Sequence, residues 1–310
     1  MSLEDAQYVK KGKRNSLAIQ NDQQALSSNG IARFPDLRFM HGTRLKIATL
    51  KFCVEVQYIQ PNGVVQNAIL ESNKSNPFVV MTNENQWESS AGNLLKYYVF
   101  QNLAISEVPW CRFANYLQNH YLRATRQDLA NPARPLSRYD LDFIQVNQFK
   151  NAQTVNVQTF TNFWDWFGKV LHSIRHQKVF LQLWLTGLIY GFISKGDAER
   201  LLQGQPVGTF VTRFSERRAG QVAIAFSKKD PNSGRISIKH YLFDTQTNQI
   251  KNLPDFCKEK VNLMYLPRLK TEYFSTSGNI QSIVHKDEGF GEHYTTPPVD
   301  PLIGYDPDVQ

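Results

Sequence analysis

Apolar positions along the chain change period from one stretch to the next. From Leu45 to Ile59 apolar and polar residues alternate and β-branched and aromatic side chains are frequent, the pattern of a half-buried strand. Gln60-Pro61-Asn62-Gly63 reads as a turn, Val64 to Leu70 as a second strand and Pro77 to Thr82 as a third. From residue 88 to 185 the spacing lengthens to three and four. Leu94, Leu95, Tyr98 and Val99 share one face of a helix over 93–103, and Phe113, Tyr116, Leu117 and Tyr121 share one over 111–123. Asn131 to Pro135 interrupts the run, and Ser137 to Asp140 opens the next helix. Phe163 to Trp184 then carries Trp164, Trp166 and Trp184, a density that means core or a joint between domains.

Past residue 186 the two periods mix. Ser194 is an N-cap with Asp197 at the third helical position, and Gly204 closes that short helix. Lys195 sits beside the cap, where free amides and an ammonium both favour anions. Residues 207–226 form two apolar runs around a charged turn, a β-hairpin. A third strand spans Arg235 to Phe243, and a second helix Leu253 to Met264. A helix, three antiparallel strands and a helix make an α/β sandwich. Within the hairpin, Phe210, Thr212 and Phe214 face one side, and Val211, Arg213 and Ser215 the other. Bulky apolar residues of both parities imply a strand covered on both faces. Arg213 keeps its charge there and needs an anion that its planar fork can grip. Two readings stand: a phosphate pocket with Ser215, Glu216, Arg217 and Arg218 at its edge, or a structural arginine–carboxylate pair.

Composition narrows the class. The 310 residues are room for two or three domains. Thirty-five Lys and Arg against 27 Asp and Glu leave +8, which fits a polyanionic partner. The excess gathers early, with nine cations against four acids in residues 1–51. Lys10-Lys11-Gly12-Lys13-Arg14 lies in a polar segment over 1–30, and Arg33, Arg38, Arg44 and Lys46 sit at the loops of the β-region. Asn83, just after a strand, can hydrogen-bond a base edge or a phosphate, or serve an ordinary turn. Three widely separated cysteines offer neither a disulfide framework nor a metal spacing, as expected of a reducing compartment. His172 and His176 lie one helical turn apart without a third ligand nearby in sequence, so no metal and no cofactor is expected. No run reaches the roughly 18 apolar residues of a membrane span, so membrane insertion is not expected. A Walker loop, a kinase Asp-Phe-Gly and a nucleophile elbow are all absent, which argues against an enzyme.

Gly191-Phe192-Ile193-Ser194-Lys195 and Gly208-Thr209-Phe210-Val211-Thr212-Arg213-Phe214-Ser215-Glu216 strongly resemble the SH2 domain of the STAT family, signal transducers and activators of transcription. Phe163-Trp164-x-Trp166 and Leu183-Trp184-x-x-Gly187 resemble the end of the STAT linker domain, and Pro77 to Asn83 the strand that approaches DNA. The resemblance runs from about residue 31 to residue 305. It implies an α+β multidomain chain: a basic segment over 1–30, a partial immunoglobulin-like DNA-binding β-domain over 31–87, a helical linker over 88–183, an SH2 α/β sandwich over 184–294 and a phosphotyrosine tail over 295–310. Measured against the family, an N-terminal domain, a coiled coil and half of the DNA-binding domain have no counterpart.

By motif, the resemblance assigns phosphotyrosine binding to Arg213, Lys195 and Ser215, with Glu216 at the pocket edge and Arg217 in place of the usual serine. It makes Tyr305 the phosphorylated tyrosine, with Tyr294 second, and Arg38, Arg44, Lys46 and Asn83 candidates for DNA contact. Asp306 and Pro307 depart from the usual apolar continuation. The expected function is a transcription factor in tyrosine-kinase signalling. It would form a homodimer by reciprocal phosphotyrosine–SH2 exchange, bind double-stranded DNA, and move from cytoplasm to nucleus when phosphorylated. Its further partner would be a tyrosine kinase or a phosphorylated receptor. The alternative is an adaptor, or a dominant-negative short form, that reads phosphotyrosine without productive DNA binding.

Overall fold

Similar strand patterns build different objects in the two halves of the chain. The computed structural model describes residues 19–21, 23–43, 45–244, 252–270 and 280–295. Arg44, Tyr305, the basic cluster at 10–14 and the departures at Asp306 and Pro307 lie outside the described residues. The chain divides into two units, 1–94 and 95–310.

In the first unit β1 (Ile19–Gln20) pairs antiparallel with β2 (Arg38–Phe39). β3 (Cys53–Ile59) pairs antiparallel with β4 (Val65–Glu71), in register from Cys53↔Glu71 to Ile59↔Val65. The turn between them closes through Gly63, whose φ of +80° suits a residue without a Cβ. β3 starts eight residues later than the alternation suggests, because Leu45 adopts φ +67° and no strand runs through it. The expected third strand over Pro77–Thr82 shrinks to an isolated bridge, Ala48↔Phe78. Its neighbours can still pair backbone to backbone, as Thr43 N–H does with the Val80 carbonyl.

The helical stretch repeats one motif. α1 (Trp87–Phe100) leads through Gln101, Asn102 and Leu103, all left-handed, to β5 (Glu107–Pro109) and α2 (Trp110–Ala124). α3 (Arg138–Phe149) leads through left-handed Lys150 and Asn151 to β6 (Thr154–Asn156) and α4 (Val157–His176). β5 and β6 pair antiparallel, setting buried Val108 opposite buried Val155. The starts of α3 and α4 are fixed by reciprocal capping boxes, Ser137 with Asp140 and Asn156 with Thr159. Phe113 of α2 fills the centre, its ring 5.3 Å from Phe149 and 5.6 Å from Phe163.

α5 (Lys178–Leu185) leads into the sandwich through a packed joint. The buried Arg134 guanidinium lies 3.4 Å over the Trp184 ring and donates to the carbonyls of Trp184, Ile189 and Tyr190. Trp184 donates its indole N–H to the Tyr121 hydroxyl at 2.6 Å. Gly191 must be glycine: φ is +84°, and a Cβ would meet the Trp184 ring at 2.3 Å.

The sandwich runs α6 (Lys195–Leu202), β7 (Phe210–Phe214), β8 (Gln221–Lys229), β9 (Ile236–Asp244), α7 (Leu253–Glu259), β10 (Tyr265–Leu269), β11 (Ile280–His285) and α8 (Lys286–Phe290). β7, β8 and β9 form an antiparallel sheet in that order. One face carries Phe226 stacked on Tyr241, and Phe243 against Phe256 of α7. The other carries Val211 and Ala225, which pack under Ile193, Ala198 and Leu202 of the α6 segment. α7 is shorter than its apolar pattern suggests. It ends at Glu259, where the Lys286 ammonium takes the carbonyls of Cys257, Lys258 and Lys260. Residues 265–269 instead pair antiparallel with 280–285, a hairpin that local sequence pattern does not signal.

Candidate functional site

The register of the sheet sets which side chains share the candidate site. Val211↔Ala225↔His240 and Arg213↔Ala223↔Leu242 are adjacent rows on the face beneath α6. The central strand contributes only alanines to both rows, so its side chains leave space between Arg213 on β7 and His240 on β9. α6 lies along that space and carries Lys195 and, one turn later, Glu199. The Ser194 hydroxyl fixes the start of this helix by accepting from Asp197 N–H at 3.0 Å.

Four charged groups and a histidine converge there. Arg213 forms the floor, its side chain 7% exposed, and Lys195 the rim, at 60%. In this state the cations are held by carboxylates. Arg213 Nη1 lies 3.6 Å from Glu216 Oε2, Lys195 Nζ 3.7 Å from Glu199 Oε1, and His240 Nε2 2.9 Å from the same Glu199 oxygen. Burial pulls the Arg213 guanidinium below its ordinary value, and the Glu216 and Glu199 charges oppose that pull. The His240 hydrogen bond, with help from Lys195, holds the Glu199 carboxyl below the usual range. Arg213 Nε is sealed from solvent without a hydrogen-bond partner, as is His240 Nδ1. An unused donor on a buried cation is costly unless an anion completes it.

Ser215 leaves the end of β7 and anchors the turn above this floor. Its hydroxyl accepts from Arg218 N–H at 3.1 Å, and its own N–H donates to the Gln221 carbonyl at 2.9 Å. Glu216 is half-buried on that turn, and Arg217 and Arg218 are exposed. Glu216 thus pairs with Arg213, and Glu199 with both Lys195 and His240, on this face, while Ser215 and Arg217 belong to the turn that follows β7. Glu199 could have been found by adding four to Lys195 on a helix. His240 depends on the strand register and carries no comparable signal.

The other candidates fall elsewhere. Arg38 is exposed on β2, Lys46 is exposed, and Asn83 is exposed at the start of the 3-10 turn Glu84–Gln86, where its side chain makes no capping bond. The bonds joining 43–48 to 78–80 run the segments bearing Lys46 and Asn83 side by side. Tyr294 is buried: its hydroxyl donates to Asp287 at 2.7 Å, and the Lys258 ammonium lies 4.9 Å from its ring centre. Burial and the Asp287 charge push its phenol well above the ordinary value. A kinase cannot reach that hydroxyl without opening the fold. No helix among the described residues is long and apolar enough to cross a membrane.

Three family models match the chain: a STATa immunoglobulin-like domain over residues 1–81, an EF-hand fold domain over 83–177 and an SH2 domain over 188–273. The EF-hand match accounts for the paired helix–strand–helix units. Calcium loops of that fold rely on several carboxylates, whereas residues 101–107 and 150–154 hold one, Glu107, which already accepts from the Thr154 hydroxyl. Among curated proteins, the chain is 40% identical over 282 residues to signal transducer and activator of transcription A of Dictyostelium discoideum, covering 89% of this chain and 38% of that protein. It is 34% identical over 293 residues to signal transducer and activator of transcription B of the same organism, covering 84% of this chain and 25% of that one. It is 30% identical over 156 residues to mouse signal transducer and activator of transcription 4, covering 46% and 18%. The chain therefore spans well under half the length of these relatives.

Proposed function

The chain belongs to the STAT family, and from that premise we propose that it reads phosphotyrosine through the pocket floored by Arg213 and dimerises by reciprocal exchange of phosphorylated tails. The observation that carries this reading is a buried guanidinium with an unpartnered Nε and a carboxylate only at 3.6 Å. A phosphate carries about two negative charges and three strong acceptors. It would displace Glu216 and give Arg213 a bidentate partner. Lys195 at the rim and the Ser215 hydroxyl complete the cradle, with Arg217 adding charge where the family pattern has serine. Tyr305 is the ligand tyrosine of choice, since Tyr294 is occupied in the core.

In the same reading the first unit binds the DNA backbone through Arg38, Arg44 and Lys46, with Asn83 offering its amide to a base edge or phosphate. A tyrosine kinase or phosphorylated receptor supplies the switch, and the dimer moves from cytoplasm to nucleus. We place the linker boundaries at 88 and 183 and the SH2 boundaries at 184 and 294.

The test is the mass in solution of the Tyr305-phosphorylated chain beside Tyr305→Phe and phosphorylated Arg213→Ala. We expect a dimer only in the first, and a loss of phosphotyrosine affinity on the order of 100-fold in Arg213→Ala. A dimer that survives Arg213→Ala sinks the exchange. A dimer without salt-dependent affinity for duplex DNA leaves the adaptor reading instead.

A further inference from the structure

We propose that Trp166 of the helical domain is a positioning residue for the phosphate-binding turn, so that the pocket depends on a side chain outside the SH2 sandwich. Trp166 is buried in the middle of α4 and donates its indole N–H to the Ser215 carbonyl at 2.8 Å. Ser215 is the residue from which the turn bearing Glu216, Arg217 and Arg218 departs. Its N–H goes to Gln221 and its hydroxyl to Arg218. The carbonyl goes to the indole, 49 positions away in sequence. Both backbone groups of Ser215 are therefore engaged, its hydroxyl oxygen accepts from Arg218 while its own hydrogen is left for a phosphate, and the carbonyl is held by another domain.

The indole is itself held in place. Its ring lies 6.1 Å from Phe192 and 6.3 Å from Phe143. Phe192 in turn packs 4.9 Å from Phe214, the neighbour of Arg213. Gly191 N–H donates to the Thr212 carbonyl, and Phe214 N–H donates to the Gly191 carbonyl. The turn that carries Ser215 is thus held by the helical domain, and the strand that carries Arg213 by the Gly191–Phe192 segment on which the indole also packs.

The inference rests on the phosphotyrosine reading and goes beyond it. A buried carbonyl that loses its donor turns toward water. The turn would then hold its binding geometry only part of the time, and affinity falls by that fraction. By linkage, phosphate in the pocket would tighten the α4 contact by the same factor. The coupling therefore runs both ways between pocket and helical domain.

Trp166→Phe removes the donor and keeps an aromatic ring in the core. Trp164→Phe, in the same helix but directed at Phe160 and His120, is the control for ordinary core damage. Both are made in the full chain and titrated with free phosphotyrosine, following indole N–H resonances by NMR. We expect Trp166→Phe to weaken phosphotyrosine binding about tenfold, and Trp164→Phe to lower thermal stability without weakening binding. The resonance that vanishes in Trp166→Phe should be one that shifts in the parent when phosphotyrosine is added. The tether is overturned if Trp166→Phe binds as the parent does, if both variants lose affinity equally, or if the Trp166 resonance stays still. If the parent itself does not bind phosphotyrosine, the pocket reading falls and the tether with it.

Discussion

β3–β4 and β7–β8 are both antiparallel hairpins with arms of five to nine residues, yet one is bare and the other sealed. β3 and β4 contain no buried residue, and Ile59, Val65 and Ile69 stand 73%, 61% and 65% exposed. Every residue of β7 is buried, as are six of the nine in β8. What separates them is the company they keep. β7–β8 has β9 beside it, α6 over one face and α7 over the other. A two-stranded hairpin with neither is marginal in water. A buried arginine can only be imposed on the sealed hairpin, where packing holds the strand while the charge waits for its anion.

The largest test of this contrast is a pair of alanine substitutions. Phe214 lies in the sealed hairpin with Phe192, Trp184 and Phe180 around it. Phe214→Ala should cost the second unit about 3–5 kcal/mol in urea unfolding. Ile69→Ala should change stability by no more than about 0.5 kcal/mol. A large loss at Ile69 would show that the hairpin is covered in solution and would erase the distinction.

The same contrast explains what was legible in the sequence. Ser137 with Asp140 and Ser194 with Asp197 were readable because a cap and its partner are three residues apart. Arg213 stood out because both parities of its strand are apolar. Extension of β3 back to Leu45 failed, because alternation continues through a residue whose backbone is left-handed. The β10–β11 hairpin is not legible, because Pro267 argues against a strand and residues 260–264 prolong the apolar pattern of α7. Glu199, His240 and Trp166 reach the site through strand register and helix packing, which local spacing does not encode. The tryptophan density reads as core or a joint between domains, and Trp166 is buried; its bond to Ser215 is not readable.

Acid should separate the two units next. His120 on α2 is half-buried against the Trp164 ring, with Nε2 sealed and unpartnered. Burial, aided by nearby Arg123, lowers its pKa from 6.5 to about 4. A histidine with a depressed folded value takes up its proton more readily when unfolded. Its contribution is therefore complete above about pH 6.5 and is lost as pH falls from there to 4. The full loss is about 3 kcal/mol. Denaturant melts at pH 7 and pH 4, parent against His120→Leu, should show the parent losing that much more than the variant. Equal losses would mean that His120 is solvated.

The smallest effect belongs to the bare hairpin. Lys51 and Glu71 pair across the open end of β3–β4, and both side chains are well exposed. The bond raises the lysine and lowers the glutamate, but water competes for each partner at every moment. Exposed pairs of this kind contribute little. Glu71→Gln should therefore leave the unfolding of the second unit unmoved and change amide exchange in β3 by less than about threefold. That exchange should already be fast, with protection far below that of β8, because nothing packs on the hairpin to close it. Strong protection of β3 that collapses in Glu71→Gln would mean that one surface ion pair does the work which, in the sealed hairpin, takes a third strand and two helices.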